Sequence, residues 1–406
     1  MRVTSHLRGL VLAILLLGCC RAADAPCPPD LLCLGPAETT DHLAGDPRMR
    51  GFSPRAGTIT SGSHIAFGAA FQQQAPGNWP LDFEISGLYS VRNYRTLGAR
   101  IGRLRTRRET FLLRSYGSHL ASEFNQTRYK EPGFAAYADF NYFYFPKQYF
   151  FGFGPDSRHV DRTDYLQRTA SYEAVAGYQI TNWLGVSVRA GILQFDLDPG
   201  EDDRYTDTQT LFPSVPGIDR QPDFFRFSSA MLVDYRDVPG DPRSGGVAGI
   251  LFSRYRDRDS HQFEFNRYAV DLRHYFPVDP LLSVVALHFF SSVDDPIGQS
   301  QIPFYLNEWL GGGSTLRGFS RQRFRDRNLI LLSGEFRTQV TDSLELAAFY
   351  DTGKVFRDLD DYSFKRLEKG YGGGVRLKGG TILFLRFDVG HSREGTHIHV
   401  SIGPAF

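Results

Sequence analysis

The body of this 406-residue chain has little net charge, no cysteine and very little methionine. Lys and Arg total 46 against 45 Asp and Glu, so the formal charge is +1. The basic excess that marks a nucleic-acid partner is missing. The four cysteines fall at positions 19, 20, 27 and 33, so no disulfide can staple the remainder of the chain. Cys27 and Cys33 can pair in an oxidising compartment, closing a small loop, but their spacing and the lack of nearby histidines do not make a zinc site. Beyond the N-terminus no run of about 18 or more apolar residues occurs, which excludes a transmembrane helix. The sequence has no G-x-S-x-G, no P-loop and no H-E-x-x-H, so no enzyme, cofactor or metal is expected.

Aromatic side chains, glycine and alternation are plentiful instead. There are 34 Phe, 20 Tyr and 41 Gly against 3 Met, a balance that favours strands and turns over helices. Arg2 and Arg8 accompany a short apolar stretch at 10–17, followed by small residues at Gly18 and Ala22. Residues 1–25 therefore read as an export signal. Leu16-Leu17-Gly18-Cys19 also resembles a bacterial lipobox, which leaves two processing routes open: lipidation at Cys19, or ordinary cleavage near Ala22 or Ala25. Residues 26–60, rich in Pro, Gly and Asp, read as a periplasmic arm or linker.

From 61 to 406 the texture is that of an all-β protein, a transmembrane antiparallel β-barrel. Segments of alternating polarity are separated by Gly, Pro, Asp and Asn, and at ~20 residues per strand and connection this span holds about 16 strands. Early strands are expected near 62–71, 80–93 and 97–117, and residues 197–221 as a long, acidic, surface-exposed loop. The C-terminal segments alternate most clearly. Leu383, Leu385, Phe387 and Val389 share one face, while Phe384, Arg386 and Asp388 share the other. In the last segment Ile398, Val400, Ile402 and Phe406 form the oily face, opposite His397 and His399. Those histidines, with His391, read as polar groups facing the lumen rather than as metal ligands.

The stretch 311–326, GGGSTLRGFSRQRFRD, breaks this rhythm. It has no apolar periodicity and a run of arginines, yet Leu316, Phe319 and Phe324 are too bulky for a linker. LRGF after the glycines Gly311, Gly312 and Gly313, then SGEFR (333–337), then FYDTG (349–353) ending at Gly353, resembles in order and spacing the C-terminal barrel of the bacterial surface antigen superfamily, the BamA/TamA/FhaC-like outer-membrane proteins. DYRDVPGDPRSGG (234–246) and FFGFGPDS (150–157) resemble further signatures of that family, so the likeness covers residues 60–406.

The resemblance implies that the loop carrying Leu316, Arg317, Gly318 and Phe319 folds back into the lumen, where Arg317 pairs with acidic groups on inner strand faces, here Glu335 and Asp351. Strand parity agrees independently. Ile330, Leu332, Phe336 and Val340 take one face of their segment and Ser333, Glu335, Arg337 and Gln339 the other. Leu344 and Leu346 likewise oppose Glu345 and Asp351. The family further implies a bacterial outer-membrane location in contact with the lipid bilayer, a role in protein insertion or translocation, and a weak seam between first and last strands that templates an incoming strand. Family members active in assembly usually carry periplasmic POTRA modules. The residues between signal and barrel are too few for one, so either a separate periplasmic partner supplies it or the activity is lost and the barrel kept; the partners expected are such a periplasmic protein or a polypeptide client. The alternatives are a passive pore or structural surface protein, and an outer-membrane hydrolase.

Overall fold

The structure, a computed structural model, describes residues 51–60, 62–73, 81–104, 132–238, 241–279, 282–379 and 382–401. All of them belong to one unit, Thr39–Phe406. The export signal, the cysteines, the greater part of the arm, and the terminal residues Ile402 and Phe406 lie outside the described residues.

Among the described residues, sixteen long strands follow one another in sequence: β1 (Gly51–Thr58), β2 (Ile65–Gln73), β3 (Asp82–Ser90), β4 (Arg95–Arg103), β5 (Gly133–Phe150), β6 (Thr163–Gln179), β7 (Leu184–Pro199), β8 (Phe224–Asp234), β9 (Gly245–Asp257), β10 (Phe265–Asp279), β11 (Ser283–Pro296), β12 (Asn328–Thr341), β13 (Leu344–Phe356), β14 (Glu368–Gly379), β15 (Ile382–Ser392) and β16 (Gly395–Ser401). Each pairs antiparallel with the next, from β1–β2 through to β15–β16. Such a meander needs only local connections, and its repeating inward and outward positions are the alternation seen in the sequence. The strand count agrees with the expectation.

Three boundaries differ. The sheet starts inside the expected linker, because residues 51–58 pair along their whole length with β2; Pro54 and the glycines there mask the strand signal. The third expected strand stops at Arg103 rather than 117, and 105–131 lies outside the described residues. The connection between β7 and β8 is not simply a surface loop. Asp198 and Pro199 belong to β7, and Thr208, Val215 and Ile218 are buried. Val215 and Ile218 join Phe150, Tyr165, Phe224, Phe304 and Tyr305 in an apolar cluster. The acidic residues drew the surface reading, whereas the few apolar ones between them decide where the loop goes.

Burial follows parity. On β12 Ser333, Glu335 and Arg337 are buried while Phe336 and Val340 are exposed. On β13 Glu345 and Asp351 are buried and Leu346 and Tyr350 exposed. On β16 Ile398 and Val400 point out, with His397 and His399 inward and half-buried. Leu383 and Phe384 lie outside the described side chains, but Arg386 and Asp388 are buried and Phe387 and Val389 exposed, as expected. An oily exterior around a charged interior is the arrangement a bilayer demands of a barrel. Among the described connections, the long ones, 151–162, 200–223, 297–327 and 357–367, all lie at the same end.

Candidate functional site: a loop that spans the lumen

The connection from β11 to β12 enters the interior. Its base is a two-residue ladder, Trp309–Leu310 against Phe324–Arg325, and its turn is made by Gly311 and Gly312, whose φ angles of 114° and 99° suit glycine. A Cβ on Gly311 would stand 2.2 Å from the Ser320 carbonyl oxygen. The bulky residues find the packing their size calls for: Leu316, Phe319 and Phe324 are buried with Leu310, Phe290, Leu329, Leu331 and Val355. At about 1.5–3 kcal/mol for each large apolar side chain taken from water, this alone favours the folded-in loop.

Arg317, 2% exposed, reaches the two expected partners. Its Nε and Nη2 donate to Asp351 at 2.7 and 2.8 Å, and its backbone N–H donates to the same carboxylate at 3.2 Å. Nη1 donates to Glu335. The guanidinium carbon lies 3.6 Å from the centroid of the Phe349 ring, which also faces inward on β13 and supplies a cation–π contact.

Sequence reasoning did not find the rest of the network. Glu335 also accepts from Arg376 of β14 at 3.0 Å, Arg376 donates to Asp388 of β15, and Arg386 Nε lies 3.2 Å from Asp388. Three guanidinium groups thus face three carboxylates, which cancels charges that would each be costly to bury alone. Parity marks all of these residues as inward-facing but says nothing about how far around the wall they lie.

The main chain of the loop is held as firmly. Arg386 donates to the Gly313 carbonyl at 2.6 Å, His399 Nε2 to the Arg317 carbonyl at 2.7 Å, and Ser392 to the Gly318 carbonyl at 2.5 Å. Gly313 lies against His399. Gly353 leaves room for Leu310 and the Ile330 carbonyl. Gly370 and Gly390 let the loop backbone come close: a Cβ on Gly390 would sit 2.3 Å from the Arg317 carbonyl oxygen, and one on Gly370 2.9 Å from the Gly318 nitrogen. Leu316-Arg317-Gly318-Phe319 thus rests on the bare backbone of β14 and β15.

The second half of the loop crosses to the N-terminal wall. Arg321 donates to the Tyr94 hydroxyl at 2.9 Å and to the Lys147 carbonyl. Gln322 accepts from the Tyr149 N–H and donates to Gln148, both at 2.6 Å. Arg323 donates to Ser157 and to Glu394, each at 2.9 Å. Arg325 donates to the Tyr165 hydroxyl at 2.8 Å, and the Gly154 N–H to the Arg325 carbonyl at 2.9 Å. FFGFGPDS is therefore a docking edge for the loop. From the opposite end the turn 235–244 reaches in too: Asp241 binds Lys378 and Arg337, and Arg243 binds Glu345.

Consecutive residues join the two ends of the sheet. Ser320 Oγ lies 3.1 Å from His397 Nε2 on β16. Arg321 lies over Gly62 in the β1–β2 turn, where a Cβ would come 3.2 Å from the guanidinium. A sheet whose first turn and last strand meet at neighbouring residues of one loop is curled into a barrel. Among the described residues, no group of three or more His, Cys, Asp or Glu is placed to hold a metal.

These features define a transmembrane β-barrel with its lumen filled by one inward-folded loop. The Omp85 superfamily domain matches residues 111–406, and the chain belongs to that superfamily. Among solved structures it is similar to BamA from Haemophilus ducreyi lacking POTRA domains 1-3, with 12% identity and a TM-score of 0.61 over 87% of this chain and 70% of that one. It is also similar to CdiB from Escherichia coli, with 13% identity and a TM-score of 0.50 over 87% of this chain and 62% of that one. The chain thus spans less than two thirds of the length of CdiB. At these identities the likeness is one of fold. No curated protein matches.

Proposed function

We propose that this chain acts on polypeptide at the bacterial outer membrane, in assembly or transport, with a client strand or a periplasmic partner engaging the edge between β1 and β16. The observation that carries this reading is the crossing of the loop from one end of the sheet to the other, with Ser320 on β16 and Arg321 over the β1–β2 turn. A brace there matters if the barrel parts at that edge, since it keeps the remaining wall in shape while backbone groups become free to pair with an incoming strand. A passive pore has no such need. Its lumen is better left wet, whereas here Leu316, Phe319, Arg317 and Arg325 are all buried.

Proteoliposomes containing the chain, given a urea-unfolded outer-membrane barrel as client, test the proposal. A photoreactive residue at Val400 on β16 should capture the client, and one at Leu346 on β13 should not. Equal capture at both positions, or none at either alongside a steady single-channel conductance, would favour the passive pore.

A further inference from the structure

The β13–β14 connection, 357–367, does not project from the barrel. It folds down over the outer wall. Four residues with outward parity mark its footprint. Ser291, Ile330 and Lys354 stand in register across β11, β12 and β13, and Phe356 follows on β13. Their outward neighbours Leu287, Phe336, Val340 and Tyr350 are exposed, Phe336 by 42%, yet Ile330 is 0% exposed and Ser291, Lys354 and Phe356 are buried as well. The loop covers this patch with particular contacts. The Tyr362 hydroxyl lies 3.3 Å from Ser291 Oγ, its ring packs edge-on against Phe356, and Lys354 Nζ donates to the Asp361 carbonyl at 2.6 Å and to Ser363 at 3.0 Å.

Beyond these contacts the loop leaves Leu359 and Phe364 exposed, Phe364 by 59%, and part of Tyr362 as well. Lys365 and Arg366 come directly after and are exposed as well. Asp358, Asp360 and Asp361 precede this apolar and basic run. Below the loop, Tyr350 and Tyr371 are paired in register on β13 and β14 and face outward, the placement of an interfacial aromatic girdle. Lys354 is four residues beyond Tyr350 on the same face, roughly 13 Å along the strand, and the loop returns from Phe356 towards that girdle. The loop's exposed apolar groups thus lie over the same outer wall as that girdle, towards the strand ends.

We propose that the 357–367 loop is a lipid-docking foot. Leu359 and Phe364 sit at the boundary between headgroups and acyl chains of the leaflet at the long-loop end, and Lys365 and Arg366 contact the phosphates of anionic lipid. Phe364 followed by Lys365 and Arg366 is an apolar side chain beside basic ones, the composition that holds a segment in that boundary. The inference needs only the barrel in a bilayer and is independent of what the edge between β1 and β16 does.

The test uses the full chain with Phe364→Trp, reconstituted into phosphatidylcholine vesicles with and without phosphatidylglycerol. Matched vesicles carry lipid brominated near the headgroup. Emission added over the parent protein should be blue-shifted and mostly lost in brominated vesicles, as for a Phe336→Trp reference within the belt. Added emission that stays at the wavelength of water and is not quenched would overturn the proposal and point to a soluble extracellular partner. Quenching should be stronger with phosphatidylglycerol, and Lys365→Gln with Arg366→Gln should abolish that difference. A difference that survives both substitutions would overturn the phosphate contact. These residues are exposed, and the heat-dependent shift in gel mobility reports whether each variant keeps its barrel.

Discussion

Asp351 accepts three hydrogen bonds from Arg317, two from the guanidinium and one from the backbone N–H. The side chain and main chain of the loop are thus tied to the same point on β13, so the guanidinium cannot leave without freeing the turn that carries it. Glu335 and the Phe349 ring fix the remaining directions.

Removing Arg317 leaves two buried carboxylates short of their partner. Arg317→Ala should destabilise the barrel by about 3–5 kcal/mol, the usual penalty for orphaning a buried ion pair. Arg317→Lys should recover only part of this, since an ammonium cannot make the paired contact to Asp351 or stack on Phe349. Urea unfolding in detergent micelles, followed by gel mobility, measures both; a Lys variant as stable as the parent would argue against planar recognition.

Phe349 contributes by its face. Phe349→Leu keeps an apolar group but loses the ring under the guanidinium and should cost about 0.5–2 kcal/mol. In an Arg317→Ala background the same change should cost less, and the double-mutant cycle reads the coupling directly.

Gly390 is where the loop meets bare backbone. Gly390→Ala should push the Arg317 carbonyl away, cost about 1–3 kcal/mol through overpacking and raise bilayer conductance as the loop lifts. Gly87→Ala on β3, where a Cβ would meet its nearest atom at 3.6 Å, should change neither quantity.

The loop between β7 and β8 is pinned near its start by Asp202, which accepts from Arg204 at 2.8 Å and from the Tyr149 hydroxyl at 3.0 Å. The hydrogen bonds from Arg204 hold its carboxyl well below the usual range, outweighing burial. Because the folded-state value is depressed, the stabilisation is present above the unfolded value of about 3.9 and fades as pH falls below it towards the folded value. Proteolysis within 203–222 by an acid-active protease, normalised to cleavage of an unfolded substrate at each pH, should therefore quicken as pH is lowered through about 4 and below, and with a protease active at neutral pH Asp202→Asn should be cleaved faster than the parent.

The alternation of side chains was legible in the sequence because the period of a strand is local. Parity alone placed Glu335, Asp351, Arg386 and Asp388 inside and Phe336, Leu346, Ile398 and Val400 outside. Together with the LRGF resemblance, it was enough to match Arg317 with its two carboxylates. The strand at 51–58 was hidden by its Pro and Gly content, since its evidence is the pairing with β2 rather than its own composition. The run Arg321, Arg323 and Arg325 stood out, but its partners Tyr94, Ser157 and Tyr165 lie far away in sequence and across the lumen. Which inward residues face one another depends on how the sheet curls and staggers, a property of the closed barrel. For the same reason the glycines at 370 and 390 resembled ordinary strand glycines until the loop lay against them. Ile330 read as lipid-facing by its parity, yet it is buried, in register between Ser291 and Lys354, both of which the folded loop at 357–367 contacts.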